Sequence, residues 1–135
     1  MDVIHWKAVY NTGDETIDRH HRELVRMIHQ LQLSRDKCLD KAETDRLFDR
    51  LLEYAREHFS YEESLMERID FPFINSHRKD HEFFRDTITR WQNDDEIACK
   101  SQKISLFLTE WLYEHILHYD IKIRDYMDQN TSKPV

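Results

Sequence analysis

The chain has 135 residues, a formal net charge of −7, one glycine, two prolines and two cysteines. This length suits one domain with a substantial core, and the scarcity of turn-forming residues favours long helices over sheet. The acidic charge argues against nucleic acid as a partner, and because no apolar run approaches the length of a membrane span, we expect a cytoplasmic protein with no membrane insertion.

Residues 1–15 are the first predicted unit, because they show no helical period. We expect them to form an arm whose apolar side chains pack on the rest of the domain: Ile4, Trp6, Val9 and Tyr10. Gly13, the only glycine in the sequence, is expected to serve the turn into the first helix.

Two amphipathic helices are predicted next, at residues 16–33 and 41–69. In each, apolar residues recur at steps of three and four, which is the period of a helix with one buried face. A capping-box pattern, DKAE at residues 40–43, opens the second helix. Pro72 is expected to stop it, because proline cannot continue a helix.

A third and a fourth helix complete the predicted set. The third is expected to start at Asn75 or Ser76, both good capping residues, and to reach Trp91. The fourth is expected to start between residues 96 and 101 and to end near Met127. Charged residues fill the positions between the apolar ones, as on the solvated outer face of a helix.

These elements predict an all-α fold, an up-down-up-down antiparallel four-helix bundle with an N-terminal arm. Short connections favour antiparallel neighbours, and the three-four spacing is the one by which such helices pack. We expect a single domain over residues 1–135, in which the bundle covers 16–128 and a tail covers 129–135.

The two cysteines are Cys38 and Cys99, and they do not form a C-x-x-C pair. Two thiols are too few for a disulfide framework. We therefore expect reduced, unpaired thiols, as is usual in a cytosolic protein.

Nine histidines are the unusual part of the composition. In the predicted bundle, the start of the first and third helices and the end of the second and fourth lie together. The polar residues at core positions fall in those halves: His21, His58, Glu62, His77, His81 and His115. A buried cluster of imidazoles and carboxylates is typical of a transition-metal site, and five imidazoles exceed what one tetrahedral zinc takes up.

Four motifs make this pattern specific: IDRHHREL at residues 17–24, HFSYEE at 58–63, HRKDH at 77–81 and WLYEHILHYD at 111–120. With these motifs, the sequence resembles a bacterial hemerythrin over nearly its whole length. The resemblance selects His21 rather than His20 in the first motif, where His20 stands at a position that is often Gln in the family. It also adds Asp120, although residues five apart lie about 140° apart around an α-helix. A local π-like widening is expected to bring Asp120 to the site.

The resemblance implies a non-haem site with two iron ions, bridged by an oxo or hydroxo group, that binds O2 reversibly. Seven residues are its implied ligands: His21, His58, Glu62, His77, His81, His115 and Asp120. One iron would take His77, His81 and His115. The other would take His21 and His58 and keep an open position for O2. Both carboxylates would bridge the two ions.

The implied O2 pocket is apolar, and Tyr54 is a further candidate for its wall. Its six main members are Leu24, Ile28, Phe59, Trp111, Leu112 and Ile116. A dry wall discourages the protonation and loss of reduced oxygen, which would leave an oxidised site that no longer binds O2. The remaining histidines are expected to lie on the surface or just outside the ligands: His5, His20, His29 and His118.

The resemblance leaves more than one role open. Oxygen carriage, storage or delivery without enzymatic activity is the first. The second is an O2- or redox-sensing module, in which this domain would be fused to a signalling protein or act beside one. The third is a di-iron oxidase or peroxidase, although the Glu-x-x-His pairs of ferritin-like oxidases are absent here. A zinc protease is excluded more firmly, because the sequence has no H-E-x-x-H motif.

Overall fold

A computed structural model describes residues 7–33 and 38–131 of the chain. Four helical rods form a bundle, which confirms the predicted fold class, and no strand occurs among the described residues. The rods are α1 (Glu15–Gln32), α2 (Lys41–Arg68), α3 (Ile74–Gln92) and a last rod that joins α4 (Ser101–Glu114), a π-helical segment (His115–Asp120) and α5 (Ile121–Thr131). Short 3-10 turns precede α1 and α4, at Ala8–Tyr10 and Ile97–Cys99. In the packing, α1 contacts α2 and α4, and α2 contacts α3.

The helix ends follow the local sequence in most places. Asp14 caps α1 by accepting a hydrogen bond from Ile17 N, at 3.0 Å. Asp40 caps α2 in the same way by accepting from Glu43 N, at 2.7 Å. Gly13 has φ of +90°, so the turn into α1 uses the one residue that adopts this conformation without strain.

The start of α3 differs from the prediction. The helix begins at Ile74, and no side chain caps it, so neither Asn75 nor Ser76 plays the expected role. The reason lies in the tight link before it. Phe71 N donates to Met66 O at 2.9 Å, and Asp70 takes a left-handed φ of 53°, so the chain turns straight into α3.

The N-terminal arm is described only in part. Tyr10 is half-buried and packs edge-on against Tyr113, with ring centroids 5.8 Å apart. The other residues predicted to pack, Ile4, Trp6 and the side chain of Val9, lie outside the described part of the structure, as does His5.

The core has two apolar clusters of unequal size. The larger fills most of the bundle and includes Phe48, Leu51, Ile88, Ile104 and Leu108. The smaller holds five buried residues beside the first turn of α1, the end of α2 and α5: Ile17, Leu65, Met66, Phe71 and Ile123. The buried histidines and carboxylates lie between the two clusters, so apolar side chains seal that layer on both sides.

The prediction of free thiols is wrong, because Cys38 and Cys99 form a disulfide whose Cα atoms are 4.1 Å apart. Cys38 lies between α1 and α2, and Cys99 lies between α3 and α4. In an antiparallel bundle these two connections meet at one end, and Leu39 N donates to Ala98 O there at 2.9 Å. The topology therefore brings together two cysteines that are 61 residues apart.

Within the described ranges, no helix is both long and apolar enough to cross a membrane.

Candidate metal centre

Five histidines from all four rods meet in the polar layer. His21 comes from α1, His58 from α2, His77 and His81 from α3, and His115 from the π-helical segment. Each of them has 0% of its surface exposed. The i, i+4 spacing places both histidines of α3 on one helical face, with ring centroids 4.6 Å apart.

Glu62 lies at the centre of these rings. Its Oε1 atom is 2.8 Å from His77 Nε2, 2.9 Å from His81 Nε2 and 3.2 Å from His115 Nε2. Its Oε2 atom faces the other way and lies 3.2 Å from His58 Nε2. The carboxylate therefore divides its two oxygens between two groups of imidazoles.

Asp120 divides its oxygens between the same two groups. Oδ2 is 2.5 Å from His21 Nε2, whereas Oδ1 is 3.1 Å from His77 Nε2 and 3.0 Å from His115 Nε2. This geometry depends on the π-helical segment, in which i→i+5 bonding brings residues five apart onto one face. The structure thus contains the π-like widening that was predicted from the sequence.

The residues present are able to hold metal. The ligand atoms form two overlapping groups, each with its atoms within 4.8 Å of one another: His21, His58, Glu62, His115 and Asp120 in one, and Glu62, His77, His81 and His115 in the other. Several of these buried atoms lack a hydrogen-bond partner: His58 Nε2, Glu62 Oε2 and both carboxylate oxygens of Asp120. Unpaired buried polar atoms are costly, and a shared cation is the simplest partner for atoms that converge in this way.

The electrostatics of the layer also favour a cation. Burial by itself would raise the pKa of Glu62, but the imidazoles of His58, His115 and His77 hold that pKa well below its usual range. Burial and Glu62 would raise the pKa of Asp120, yet the nearby histidines, His115 first, lower it. Both carboxylates are therefore negatively charged in a site that excludes water.

The histidines themselves respond in opposite directions. Burial lowers the pKa of His58 to about 4, so this ring is neutral and its Nε2 lone pair is available. Burial also disfavours the charged form of His77, but the carboxylates of Glu62 and Asp120 outweigh it and raise the pKa of His77 to about 9. A metal ion would replace the proton on such a ring.

Two carboxylates outside the cluster contact its histidines, and neither contact was predicted from the sequence. Glu63 Oε2 lies 2.9 Å from His81 Nδ1, and Asp80 Oδ2 lies 2.6 Å from His115 Nδ1. Arg78 holds Glu63 in turn, donating to it at 3.2 Å. A signal was available, because a metal-binding imidazole usually donates its second N–H to a carboxylate. Both residues stand beside a candidate ligand in the motifs HFSYEE and HRKDH.

Of the other histidines, the three that the structure describes occupy the outer positions predicted for them, whereas His5 lies outside the described residues. His20 is half-buried, and its Nδ1 lies 3.0 Å from the Nδ1 of His58. Burial, and next the charge of Arg19, lower the pKa of His20. His118 is exposed and pairs with Glu114 at 3.2 Å, and His29 is half-buried.

Aromatic rings pack directly on the imidazoles. Phe59 stacks on His81 with centroids 3.8 Å apart, and Trp111 stacks on His115 at 4.3 Å. Tyr54 stacks on His58 at 5.2 Å. All six residues predicted to form the main pocket wall are buried members of the larger apolar cluster: Leu24, Ile28, Phe59, Trp111, Leu112 and Ile116.

Comparison with known proteins decides the family. The model of the Hemerythrin HHE cation binding domain matches residues 12–122, which is most of the chain. The chain belongs to the hemerythrin family. Hemerythrin domains bind O2 at non-haem iron, and the buried cluster of histidines and carboxylates is able to hold metal.

Curated relatives cover nearly the same span. A Bacteriohemerythrin of Stenotrophomonas maltophilia is 29% identical over 120 residues, which is 86% of this chain and 76% of the relative. One of Pseudomonas aeruginosa is 28% identical over 134 residues, 96% of this chain and 85% of the relative. One of Campylobacter jejuni is 24% identical over 129 residues, 94% of this chain and 97% of the relative.

Proposed function

We propose that this hemerythrin domain binds O2 reversibly at a pair of iron ions and is not an enzyme. One observation carries the proposal. Glu62 and Asp120 each direct one oxygen to the His77, His81 and His115 group and the other oxygen to the His21 and His58 group. Two carboxylates that each face two separate sets of imidazoles are suited to bridge two metal ions rather than to complete one.

The two groups of histidines would hold unequal ions. His77, His81 and His115 give one ion three imidazoles, whereas His21 and His58 give the other ion two. If both ions shared the two carboxylates equally, the second ion would have one protein ligand fewer and would keep an open position. An open position distinguishes a reactive metal site from a structural one. When bound, the iron pair supplies a site for O2 and the two electrons that its reversible binding requires.

The protein side chains would decide whether such binding stays reversible. The apolar residues around the layer exclude water and offer no proton donor of low pKa. Leu24 and Ile28, which are both fully buried on α1, are the aliphatic candidates for the wall beside His21 and His58. We expect Leu24→Asn to hasten the loss of the O2-binding form, measured as the autoxidation rate of the oxygenated protein. An unchanged rate in a folded Leu24→Asn variant would place the pocket elsewhere.

The composition of the site favours binding over oxidation chemistry. Five of the seven candidate ligands are histidines, whereas oxidases of the ferritin-like class use carboxylate-rich sites with Glu-x-x-His pairs. A sensory role uses the same site and differs in its consequence, because O2 or a redox change would then alter a partner. Whether the domain is a carrier or a sensor is therefore decided by how the oxygenated form behaves over repeated cycles.

A cytoplasmic location stays a prediction, and the Cys38–Cys99 bridge tells against it. Disulfides persist mainly in oxidising compartments. Fractionation of cells, combined with thiol labelling of the protein in each fraction, would measure both the compartment and the redox state of the two cysteines.

The decisive experiment follows the reduced protein as O2 is added. Protein loaded with iron should contain about two ions per chain, as a two-metal site requires. Reduced without air, it should be nearly colourless, should gain a visible absorption band with O2, and should lose that band when O2 is removed. A His118→Ala variant serves as the control, because His118 is exposed and outside the cluster.

Each outcome has a separate meaning. A band that survives many cycles supports oxygen carriage or delivery, whereas rapid conversion to the oxidised form supports a sensor. One iron per chain, or no band with O2, would contradict the proposed function.

A further inference from the structure

Three of the candidate ligands, His58, His81 and His115, differ in what their outer nitrogen atoms contact. On the three-histidine side, the Nδ1 atoms of His81 and His115 face carboxylates, Glu63 at 2.9 Å and Asp80 at 2.6 Å. On the two-histidine side, the Nδ1 of His58 instead lies 3.0 Å from the Nδ1 of His20. The outer partner is therefore a second imidazole.

The hydrogen-bond direction between these rings follows from the site. His58 Nε2 points at Glu62 Oε2, 3.2 Å away, and has no hydrogen-bond partner, so it is the nitrogen that would bind metal. The proton of the neutral ring then lies on Nδ1. His58 Nδ1 donates, and His20 Nδ1 accepts as a neutral ring with its own proton on Nε2.

The position of His20 is built by the fold. Consecutive residues of a helix point about 100° apart, so α1 directs His21 into the layer and His20 toward α2. The ring of His20 lies edge-on to Tyr54, at 6.4 Å, and to Tyr61, at 6.2 Å. Tyr61 is itself tied to α1, because its hydroxyl donates to Asp14 at 2.8 Å.

We propose that His20 is a positioning residue for the metal site, and this rests on the proposed function. His20 fixes the tautomer and orientation of His58 by accepting its Nδ1 proton. As a neutral acceptor, it also keeps His58 a weaker electron donor than the carboxylate-bonded His81 and His115. An outer partner of a metal-binding histidine raises the basicity of that ligand, and a carboxylate does so more than a neutral group. His20 thereby limits the electron donation from His58 to the ion that this ring would hold, which opposes oxidation of that ion.

Three substitutions separate this role from simple packing. His20→Gln keeps a neutral acceptor, because the amide oxygen can take the proton of His58. His20→Glu places a carboxylate at the same position, on a side chain of the same size as that of Gln. His20→Leu fills the space without any acceptor. His118→Leu is the matched control at an exposed histidine.

Three quantities are measured for the four variants and for the unchanged protein. They are the iron affinity, the reduction potential of the iron-loaded site and the autoxidation rate. His20→Gln and His118→Leu should match the unchanged protein. His20→Leu should lose roughly tenfold in iron affinity, the size typical of a lost outer partner. His20→Glu should keep its iron, shift the potential to more negative values and autoxidise several times faster.

Two results would overturn the inference. One is equal iron affinity in the Leu and Gln variants, and the other is an unchanged potential and autoxidation rate in the Glu variant. If the Leu variant does not fold, the Gln and Glu pair still gives the answer, because these side chains have the same shape and differ in charge. Absence of the O2 band in the unchanged protein would refute the proposed function instead, and the affinity and potential data would still test His20.

Discussion

The two ends of this bundle use opposite means of holding four rods together. At the metal end, five imidazoles and two carboxylates are fully buried between apolar clusters. At the far end, aliphatic and aromatic side chains fill the core, and the disulfide joins the two connections. Buried charges cost free energy unless they are paired or coordinate metal, whereas an apolar core needs no ligand. Bound metal would therefore stabilise the metal end, whereas the far end needs no ligand.

The far end can hold the four rods together whether or not metal is bound. The larger apolar cluster and the Cys38–Cys99 bridge keep α1, α2, α3 and the last rod in register. The same contacts keep the candidate ligands of the polar layer close together. Binding a ligand only to the folded state adds stability by mass action.

The largest expected effect is the loss of metal from the polar end. Glu62→Ala removes the carboxylate that contacts both groups of histidines, so the iron content should fall from about two per chain toward zero. The fold should persist, because the far end is unchanged. Iron assays on purified protein measure the first effect, and circular dichroism measures the second.

Glu57→Ala is the matched control for this substitution, because Glu57 lies on the same helix and is exposed. It should keep its full iron content. A Glu62→Ala variant that still holds two ions would show that this carboxylate does not bridge them.

Removal of the disulfide should have the next largest effect. It should lower the unfolding free energy through the far end and leave the metal end unchanged. The bridge closes a loop of 61 residues, for which the chain-entropy model gives about 4 kcal/mol of unfolding free energy. The Cys38→Ser/Cys99→Ser variant should lose this amount in urea unfolding but keep its iron and its O2 band. Reducing agent should destabilise the unchanged protein and leave the double variant unaffected. Loss of iron from the double variant would show that the two ends are not independent.

The sequence predicted the metal end better than the far end. The helical period placed His21, His58, Glu62, His77 and His115 on inward faces, and four motifs then identified the family. These signals are local, since each depends on residues within a turn or two of one another. Asp120 needed the resemblance, because an α-helical period puts it on another face and only the π-helical segment corrects this.

The parts that the sequence did not predict depend on contacts between distant elements. Cys38 and Cys99 carry no spacing signal, and only the meeting of two loops brings them together. The carboxylates Glu63 and Asp80 stand beside candidate ligands in the sequence, but which imidazole each contacts depends on how α2, α3 and the π-helical segment pack. The start of α3 was missed because the turn at Asp70 sets it, rather than a capping side chain.

The pH dependence of the metal-free protein sharpens the contrast between the ends. The pKa of His77 is about 9 in the fold and 6.5 in the unfolded chain. Its protonation therefore stabilises the fold fully below pH 6.5, and this stabilisation is lost as the pH rises through 9. The loss amounts to about 3 kcal/mol. His58, with its pKa of about 4, acts in the opposite sense and removes stability as the pH falls from 6.5 toward 4. Stability of the metal-free protein should therefore peak near pH 6.5.

Urea unfolding between pH 4 and pH 9 measures this profile. Iron-loaded protein should show a much flatter dependence of its unfolding free energy on alkaline pH, because the ion takes the place of the proton on His77. The Cys38→Ser/Cys99→Ser variant should show the same alkaline slope as the unchanged protein, shifted down by a constant, since independent sites add. A flat profile for the metal-free protein would contradict the buried charges assigned to the polar layer.

The smallest expected effect concerns the hydrogen bond that ties α1 to α2 at the metal end. Tyr61 donates to Asp14 at 2.8 Å, while Asp14 also caps α1. Tyr61→Phe should cost about 1 kcal/mol of unfolding free energy, because one partly buried hydrogen bond is lost and the ring beside His20 is kept. Asp14→Ala should cost somewhat more, because it removes the cap as well. In a double-mutant cycle, the double variant should lose about 1 kcal/mol less unfolding free energy than the sum of the two single losses. Strict additivity would mean that this hydrogen bond does not join the two helices in solution.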